Sequence, residues 1–166
     1  SRGLGDVYKR QVNKLQMVFD EGLYDPANEP DIAYAHLFSY FKGEEWRTQK
    51  ETQRLLDKYF TTKPDGIPGN DDTGTMSAWA IFNMIGFYPD CPGLPEYTLT
   101  TPVFNKVTIR LDPKWYKENE LVIESNRTGS ETLYINKVLL DGKKFNKYRI
   151  THDELVHGKR LIFDLK

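Results

Sequence analysis

The spacing of apolar residues changes once along this chain, and that change constrains the fold more than any other feature. Up to about Tyr88, apolar residues recur at the three- and four-residue spacing of helices. After the proline- and glycine-rich stretch at residues 89–95, apolar and polar residues alternate, as they do in strands with one exposed face. The sequence therefore predicts a helical part followed by an antiparallel sheet layer.

Four helices are predicted in the first part. The second is expected to run from a cap at Asn28 to Gly43, the third from about residue 45 to 60 and the fourth from about residue 75 to 85. The fourth is apolar nearly all round, which is typical of a helix buried on most sides. The apolar faces of the first two helices are marked by Val12, Leu15, Val18 and Phe19, and by Ala33, Leu37, Tyr40 and Phe41.

Two local signals mark the second part of the chain. Asp141-Gly142 lies between two alternating segments and predicts a tight β-hairpin turn. Thr151 followed by Glu154 predicts a capping box at the start of one short helical turn.

Composition narrows the class of protein. The 166 residues are 39% apolar and can bury a core. The formal net charge is −1, so nothing points to a nucleic-acid or anionic-membrane partner. No apolar run approaches the roughly 20 residues of a membrane span. Residues 1–11 resemble a non-native string, and we expect the native chain to continue upstream of it.

A loop expected from Thr61 to Gly74 places an amide and two adjacent carboxylates between glycines, at Asn70, Asp71 and Asp72. Long ordered connections between helices tend to be functional. The loop lacks the alternating ligands and final glutamate of an EF-hand. The alternative is a solvated turn in which an aspartate caps the next helix.

A second group of oxygen donors lies at Asn28, Glu29 and Asp31. Oxygen donors without a histidine or thiol suit a hard cation such as calcium. The alternative is that residues 28–31, with Pro30 in the first turn, simply form a good helix start. Because both groups precede helices, they are compatible with one site at the end of a helical barrel where the connecting loops gather.

The run GIPGNDDTGTMSAWAIFNMIGFYP at residues 66–89 resembles the signature of glycoside hydrolase family 92, the calcium-dependent exo-acting α-mannosidases. Residues 28–34 resemble the second signature of the family, and residues 46–49 and 101–104 fit in place and order. Ala27 stands where the family usually has glycine, and Thr75 where it usually has glutamine. The resemblance extends from about Val12 to the end of the chain.

This resemblance implies an α+β fold that forms the C-terminal fragment of a larger catalytic region. Residues 12–88 would be the last helices of an (α/α)6 barrel, and residues 89–96 a linker. Residues 97–166 would form a β-sandwich-like layer of antiparallel strands.

The resemblance also implies hydrolysis of terminal α-mannosyl residues of mannose-containing glycans with inversion, assisted by Ca2+. Inversion requires a general acid and a general base whose carboxyl groups lie roughly 6.5–9.5 Å apart. By the resemblance, Asp72 is the catalytic base and Asp71 assists it. The implied calcium ligands are Asn28, Glu29 and Asp71, and the implied substrate contacts are Asn70, Asp31 and Trp79.

The general acid of the family is expected upstream, because Glu44, Glu45 and Glu51 do not lie in its motif. The fragment alone is therefore expected to be inactive. A periplasmic or secreted location is the family expectation. Two alternatives remain at this point: a calcium-independent (α/α)6-barrel glycoside hydrolase or phosphorylase, and a non-catalytic carbohydrate-binding module.

Overall fold

The computed structural model describes residues 2–129 and 132–166. The chain forms two compact units, Ser1–Ala80 and Ile81–Lys166. The first is helical and the second contains all the strands of the described residues. The predicted α+β class is therefore confirmed, whereas the (α/α)6 barrel stays a prediction.

The first unit contains helices α1 (Arg2–Asp20), α2 (Glu45–Tyr59) and the start of α3 (Thr75–Ile85). Two 3₁₀ segments, Glu29–Asp31 and Tyr34–Tyr40, lie between α1 and α2. The bounds of α2 and α3 agree with the predicted third and fourth helices. Helix α1 includes residues 2–11 of the string predicted to be non-native, and Ser1 lies outside the described residues.

The predicted second helix is wrong in type, and its predicted inner face is wrong as well. Ala35 and Phe38 are buried, whereas Leu37 is exposed and Tyr40 is 51% exposed. In a 3₁₀ helix, residues three apart eclipse one another. The buried pair and the exposed pair each follow that spacing and so lie on different sides.

Helix α3 is one-sided rather than apolar and buried all round. Ile81 is 55% exposed. The buried residues follow the spacing of a single helical face, and they are Met76, Trp79, Ala80 and Asn83. The amide of Asn83 thus occupies a position in the buried stripe, while the branched side chain of Ile81 lies outside it.

Within its described residues, the second unit contains eight strands in two sheets. The strands are β1 (Phe87–Tyr88), β2 (Glu96–Leu99), β3 (Lys106–Arg110), β4 (Glu120–Arg127), β5 (Ile135–Leu140), β6 (Lys143–Phe145), β7 (Arg149–Thr151) and β8 (Arg160–Leu165). One sheet has the order β1-β2-β7 and the other β3-β4-β8-β5-β6. A short helix, α4 (His152–His157), connects β7 to β8.

The prediction of a purely antiparallel layer is wrong at one pair, because β4 and β8 are parallel. Strand β5 is antiparallel to β8. Strand β8 therefore lies between two strands that run in opposite directions, and a strand in that position must be parallel to one of them. The remaining strand pairs are antiparallel.

The two local signals of the second part are confirmed. Asp141 and Gly142 have φ values of 50° and 77°, as a tight hairpin turn requires, and they join β5 to β6. Thr151 and Glu154 form a reciprocal capping box at the start of α4. The core of this unit includes Leu99, Ile150, Leu161 and Phe163.

Candidate active site

The loop between α2 and α3 is closed at its base by backbone hydrogen bonds. The N–H of Thr61 donates to the carbonyl of Gly66 at 2.9 Å, and the N–H of Gly66 donates to the carbonyl of Lys63 at 2.9 Å. The carbonyl oxygen of Thr61 lies where a β-carbon on Gly66 would be, so only glycine fits there.

The same loop then contacts the segment that precedes the first 3₁₀ helix. A β-carbon built on Gly69 would lie 2.5 Å from Cβ of Ala27 and 3.1 Å from its carbonyl oxygen. Gly69 also has a φ of 63°, in the left-handed region that favours glycine. The contact brings together the two chain segments that carry the predicted site residues, because Gly69 directly precedes Asn70, Asp71 and Asp72, and Ala27 directly precedes Asn28 and Glu29.

Asp71 holds the start of helix α3. Its Oδ1 accepts the backbone N–H of Ser77 at 2.8 Å, and its Oδ2 accepts the hydroxyl of Ser77 at 2.8 Å. The backbone bond is the main reason, and the hydroxyl bond the second, that the pKa of Asp71 lies below its usual value. The capping alternative from the sequence thus applies to Asp71, whose ionised form is stabilised without a cation.

Asp72 differs from its neighbour in backbone and exposure. Its side chain is exposed, and its φ is 29°. Thr73 follows with a φ of 62°, so two consecutive residues with β-carbons lie in the left-handed region. Such backbone costs of order 1–3 kcal/mol per residue and clusters at functional sites. Of the two aspartates, Asp72 therefore has the exposed carboxylate on a strained turn, whereas both carboxylate oxygens of Asp71 are hydrogen-bonded to Ser77.

The second group of oxygen donors surrounds the 3₁₀ segment Glu29–Asp31. Asn28 has an extended backbone and its side chain makes no capping hydrogen bond. The side chains of Asn28 and Glu29 are exposed. Asp31 is half-buried, and its Oδ2 accepts the backbone N–H of Asp25 at 3.3 Å. Asn28 and Glu29 are thus accessible, whereas Asp31 supports the preceding turn.

Trp79 does not fit its predicted role as a substrate contact. It is only 2% exposed, and its ring stacks on Phe60 with centroids 5.4 Å apart. Its Nε1–H donates to the carbonyl of Ile32 at 2.9 Å. A buried indole cannot stack on a sugar, so Trp79 anchors α3 to the Asn28 segment instead. Asn70, in contrast, is exposed on the loop.

The glutamates near α2 have structural partners. Glu51 is buried, and its Oε2 lies 2.7 Å from Nε of Arg54. Glu44 contacts Nε of Arg47 at 2.6 Å. In the described part of the chain, no group of three His, Cys, Asp or Glu side chains is arranged to hold a metal ion. The predicted calcium ligands are two carboxylates, Glu29 and Asp71, and the amide of Asn28, so they are not a group of that kind. The calcium site therefore stays a prediction.

Sequence reasoning did not identify one residue and one contact of this region. Ser77 gives Asp71 its role, and the only sequence signal was a small polar residue in the first turn of α3. The contact of Gly69 with Ala27 had no signal at all, since it joins positions far apart in the sequence.

The loop with its two adjacent carboxylates thus lies against the segment that carries the second group of oxygen donors. Residues 4–166 match the glycosyl hydrolase family 92 catalytic domain. The chain therefore belongs to glycosyl hydrolase family 92, as the resemblance predicted. Membership of this family excludes the alternative that the chain belongs to a different family of barrel enzymes.

Particular relatives support the same assignment. An uncharacterized secreted glycosidase of Arthroderma benhamiae is 28% identical over 90% of this chain and 19% of the relative. The GH92 α-mannosidase BT3965 from Bacteroides thetaiotaomicron, solved with mannoimidazole, is 33% identical, with a TM-score of 0.78 over 86% of this chain and 18% of its own. The inverting mannosidase BT2199 of the same organism is 34% identical, with a TM-score of 0.76 over 91% and 20%.

The chain spans about a fifth of the length of these relatives. Within the described residues, no helix combines the length and apolar character needed to cross a membrane.

Proposed function

We propose that this chain supplies the general base, and part of the metal and substrate site, of an inverting α-mannosidase acting on terminal α-mannosyl residues of glycans. The contact between Gly69 and Ala27 carries the proposal, because it joins the loop bearing Asp72 to the segment bearing Asn28 and Glu29. Family membership and the names of the two bacterial relatives support the substrate class.

Asp72 is the proposed general base. In an inverting hydrolysis, a carboxylate removes a proton from the attacking water while a carboxylic acid on the other face protonates the leaving oxygen. The exposure of Asp72 on a strained turn supports this role. Asp71 holds the turn to α3 through Ser77 and carries a charge beside the reacting water.

The general acid is proposed to lie outside this chain. Among the glutamates near α2, Glu44 and Glu51 are engaged by arginines, and Glu45 accepts the backbone N–H of Gly43 at 2.8 Å. The chain by itself is therefore proposed to be inactive, as the C-terminal part of an (α/α)6 catalytic region.

Calcium is the proposed cofactor, with Asn28, Glu29 and Asp71 as its donors. All three offer oxygen atoms, which calcium prefers. The first two are exposed, and each carboxylate oxygen of Asp71 accepts one hydrogen bond from Ser77 and keeps a further lone pair. When bound, the ion would offer coordination positions to sugar hydroxyls and stabilise developing charge.

Asn70 and Asp31 remain proposed substrate contacts. Asn70 directly precedes the two aspartates, and its exposed amide can donate and accept hydrogen bonds with sugar hydroxyls. A secreted or periplasmic location is also proposed, and the name of the fungal relative supports it.

The test joins the chain to its upstream catalytic region and follows mannose release from α-linked mannobioses by NMR. We expect β-mannose as the first product, and loss of release when a chelator removes calcium. Asp72→Asn should lower kcat at least about 100-fold, the usual contribution of general acid–base catalysis. Asp65→Asn, which removes an exposed carboxylate from the same loop, is the matched control.

Release of α-mannose first would contradict inversion, and chelator-insensitive release would contradict the calcium role. Equal rates for Asp72→Asn and Asp65→Asn would remove Asp72 from the mechanism. The chain alone should release no mannose; release at the rate of the longer protein would show that the acid lies within these residues.

A further inference from the structure

We propose that Thr75 is a positioning residue for Asp72, through a hydrogen bond from its hydroxyl to the backbone carbonyl of Asp72. The inference rests on the proposed function, since it concerns the placement of the proposed base. It assigns a role in catalysis to a residue that contacts neither substrate nor the reacting atoms.

The turn that carries Asp72 needs an external restraint. Asp72, Thr73 and Gly74 have φ values of 29°, 62° and 88° in succession. Only Gly74 adopts such a conformation without a steric cost. Residues with β-carbons persist in this region only where the surrounding structure holds them there.

Thr75 provides that restraint from the first residue of α3. Its backbone N–H donates to the carbonyl of Asp71 at 2.7 Å, and its Oγ1–H donates to the carbonyl of Asp72 at 2.7 Å. Any residue except proline could make the first bond, but the second requires a hydroxyl. One residue therefore fixes the carbonyl groups of both aspartates, and the rigid helix behind it fixes the turn.

The hydrogen bond acts on the peptide group of Asp72 and not on its carboxylate. It should therefore set where the carboxylate lies. A small displacement of a reacting group lowers the rate strongly, by about 100-fold for roughly 1 Å. Substrate affinity depends on other groups and should change little.

The experiment compares Thr75→Val with Thr75→Ser in the protein used for the mannose-release assay, with Asp72→Asn alongside. Valine keeps the shape of threonine and removes the hydroxyl, whereas serine keeps the hydroxyl. We expect Thr75→Val to lower kcat about 10- to 100-fold with KM nearly constant. Thr75→Ser should retain the parent kcat and KM.

Amide resonances of Thr73 and Gly74 provide a readout that does not depend on activity. They should move in Thr75→Val and keep the parent positions in Thr75→Ser. If Thr75→Val does not fold, Thr75→Ala, which also lacks the hydroxyl but has no branched side chain, takes its place.

The outcomes separate this inference from the function on which it rests. If Asp72→Asn abolishes release and Thr75→Val works at the parent rate, the positioning role is overturned while the proposed function stands. The same conclusion follows if kcat and thermal stability fall together in both Thr75 variants, which indicates a merely structural role. If Asp72→Asn has no effect, the proposed function fails and the inference fails with it.

Discussion

The contact between Gly69 and Ala27 can be tested by giving Gly69 a β-carbon and comparing the result with a glycine of similar backbone. Gly22 has a φ of 69° and Gly69 a φ of 63°, so alanine meets similar left-handed strain at both positions. A β-carbon on Gly22 would meet nothing within 4 Å, whereas on Gly69 it would lie 2.5 Å from Cβ of Ala27. The pair therefore separates conformational strain from steric overlap.

The expected losses of stability follow from the cost of left-handed strain and the cost of steric overlap. Left-handed strain on a non-glycine residue costs about 1–2 kcal/mol. The lower entropy of an unfolded chain with alanine offsets about 0.4–1 kcal/mol of it. We expect Gly22→Ala to reduce the unfolding free energy by about 1 kcal/mol. Gly69→Ala should lose a further 1–3 kcal/mol or so, the usual cost of overpacking, because part of the overlap involves backbone atoms of Ala27.

Urea unfolding followed by tryptophan fluorescence measures the difference. Trp79, which is buried, and Trp46, which is 39% exposed, both lie in the helical unit and report its unfolding, while Trp115 is 73% exposed and should change little. A Trp115→Phe background removes the remaining ambiguity. Equal urea concentrations at the midpoint of unfolding for Gly22→Ala and Gly69→Ala would refute the contact between Gly69 and Ala27.

The double variant Ala27→Gly with Gly69→Ala provides a second check. Removing Cβ of Ala27 eliminates the 2.5 Å overlap but leaves the two 3.1 Å contacts with its Cα and carbonyl oxygen. We therefore expect partial recovery, seen as a favourable coupling of about 0.5–3 kcal/mol in the double-mutant cycle. Purely additive effects would show that the two residues do not touch.

Three further predictions follow from individual contacts. Ser77→Ala should raise the pKa of Asp71 toward its ordinary value, as measured by NMR titration, because it removes one of the hydrogen bonds that lower this pKa. Since the pKa is lowered in the folded state, the stabilisation from the ionised Asp71 is present above about pH 4 and is lost as the pH falls. An unchanged titration would exclude the bond from the Ser77 hydroxyl to Oδ2 of Asp71. Asp90→Asn should destabilise the sheet unit by about 1–3 kcal/mol in denaturant unfolding, because it removes one of the two carboxylates that contact Arg149, at 3.2 Å, and leaves Glu96 at 3.5 Å. A loss below about 0.5 kcal/mol would contradict a stabilising contact between Asp90 and Arg149. Thr151→Ala should cost about 1 kcal/mol in thermal unfolding by removing the cap of α4, while Thr151→Ser should be nearly neutral.

The elements that the sequence predicted correctly are determined by residues close together in the chain. The ends of α2 and α3, the turn at Asp141-Gly142 and the capping box at Thr151 depend on local backbone preferences. Such signals act within a few residues, so no knowledge of the rest of the fold was needed.

The wrong predictions depend on the choice between similar local patterns or on distant partners. The segment Tyr34–Tyr40 has apolar residues at spacings that suit either helix type, and its 3₁₀ form decides that Leu37 is exposed. The parallel pairing of β4 and β8 depends on where β5 lies in the sheet. Alternation predicts strands but carries no information on their order or direction.

The two aspartates of the site illustrate the same limit at the scale of single residues. In the sequence, Asp71 and Asp72 are adjacent and chemically identical, and either one could cap a helix or act as a base. The contacts of Ser77 commit Asp71 to α3, while the left-handed turn leaves Asp72 exposed on the loop. Because capping satisfies N–H groups that the helix would otherwise leave unpaired, it fixes the loop without consuming the second carboxylate. The adjacency is then useful in itself, since the residue that anchors the loop is bonded directly to the one proposed to react.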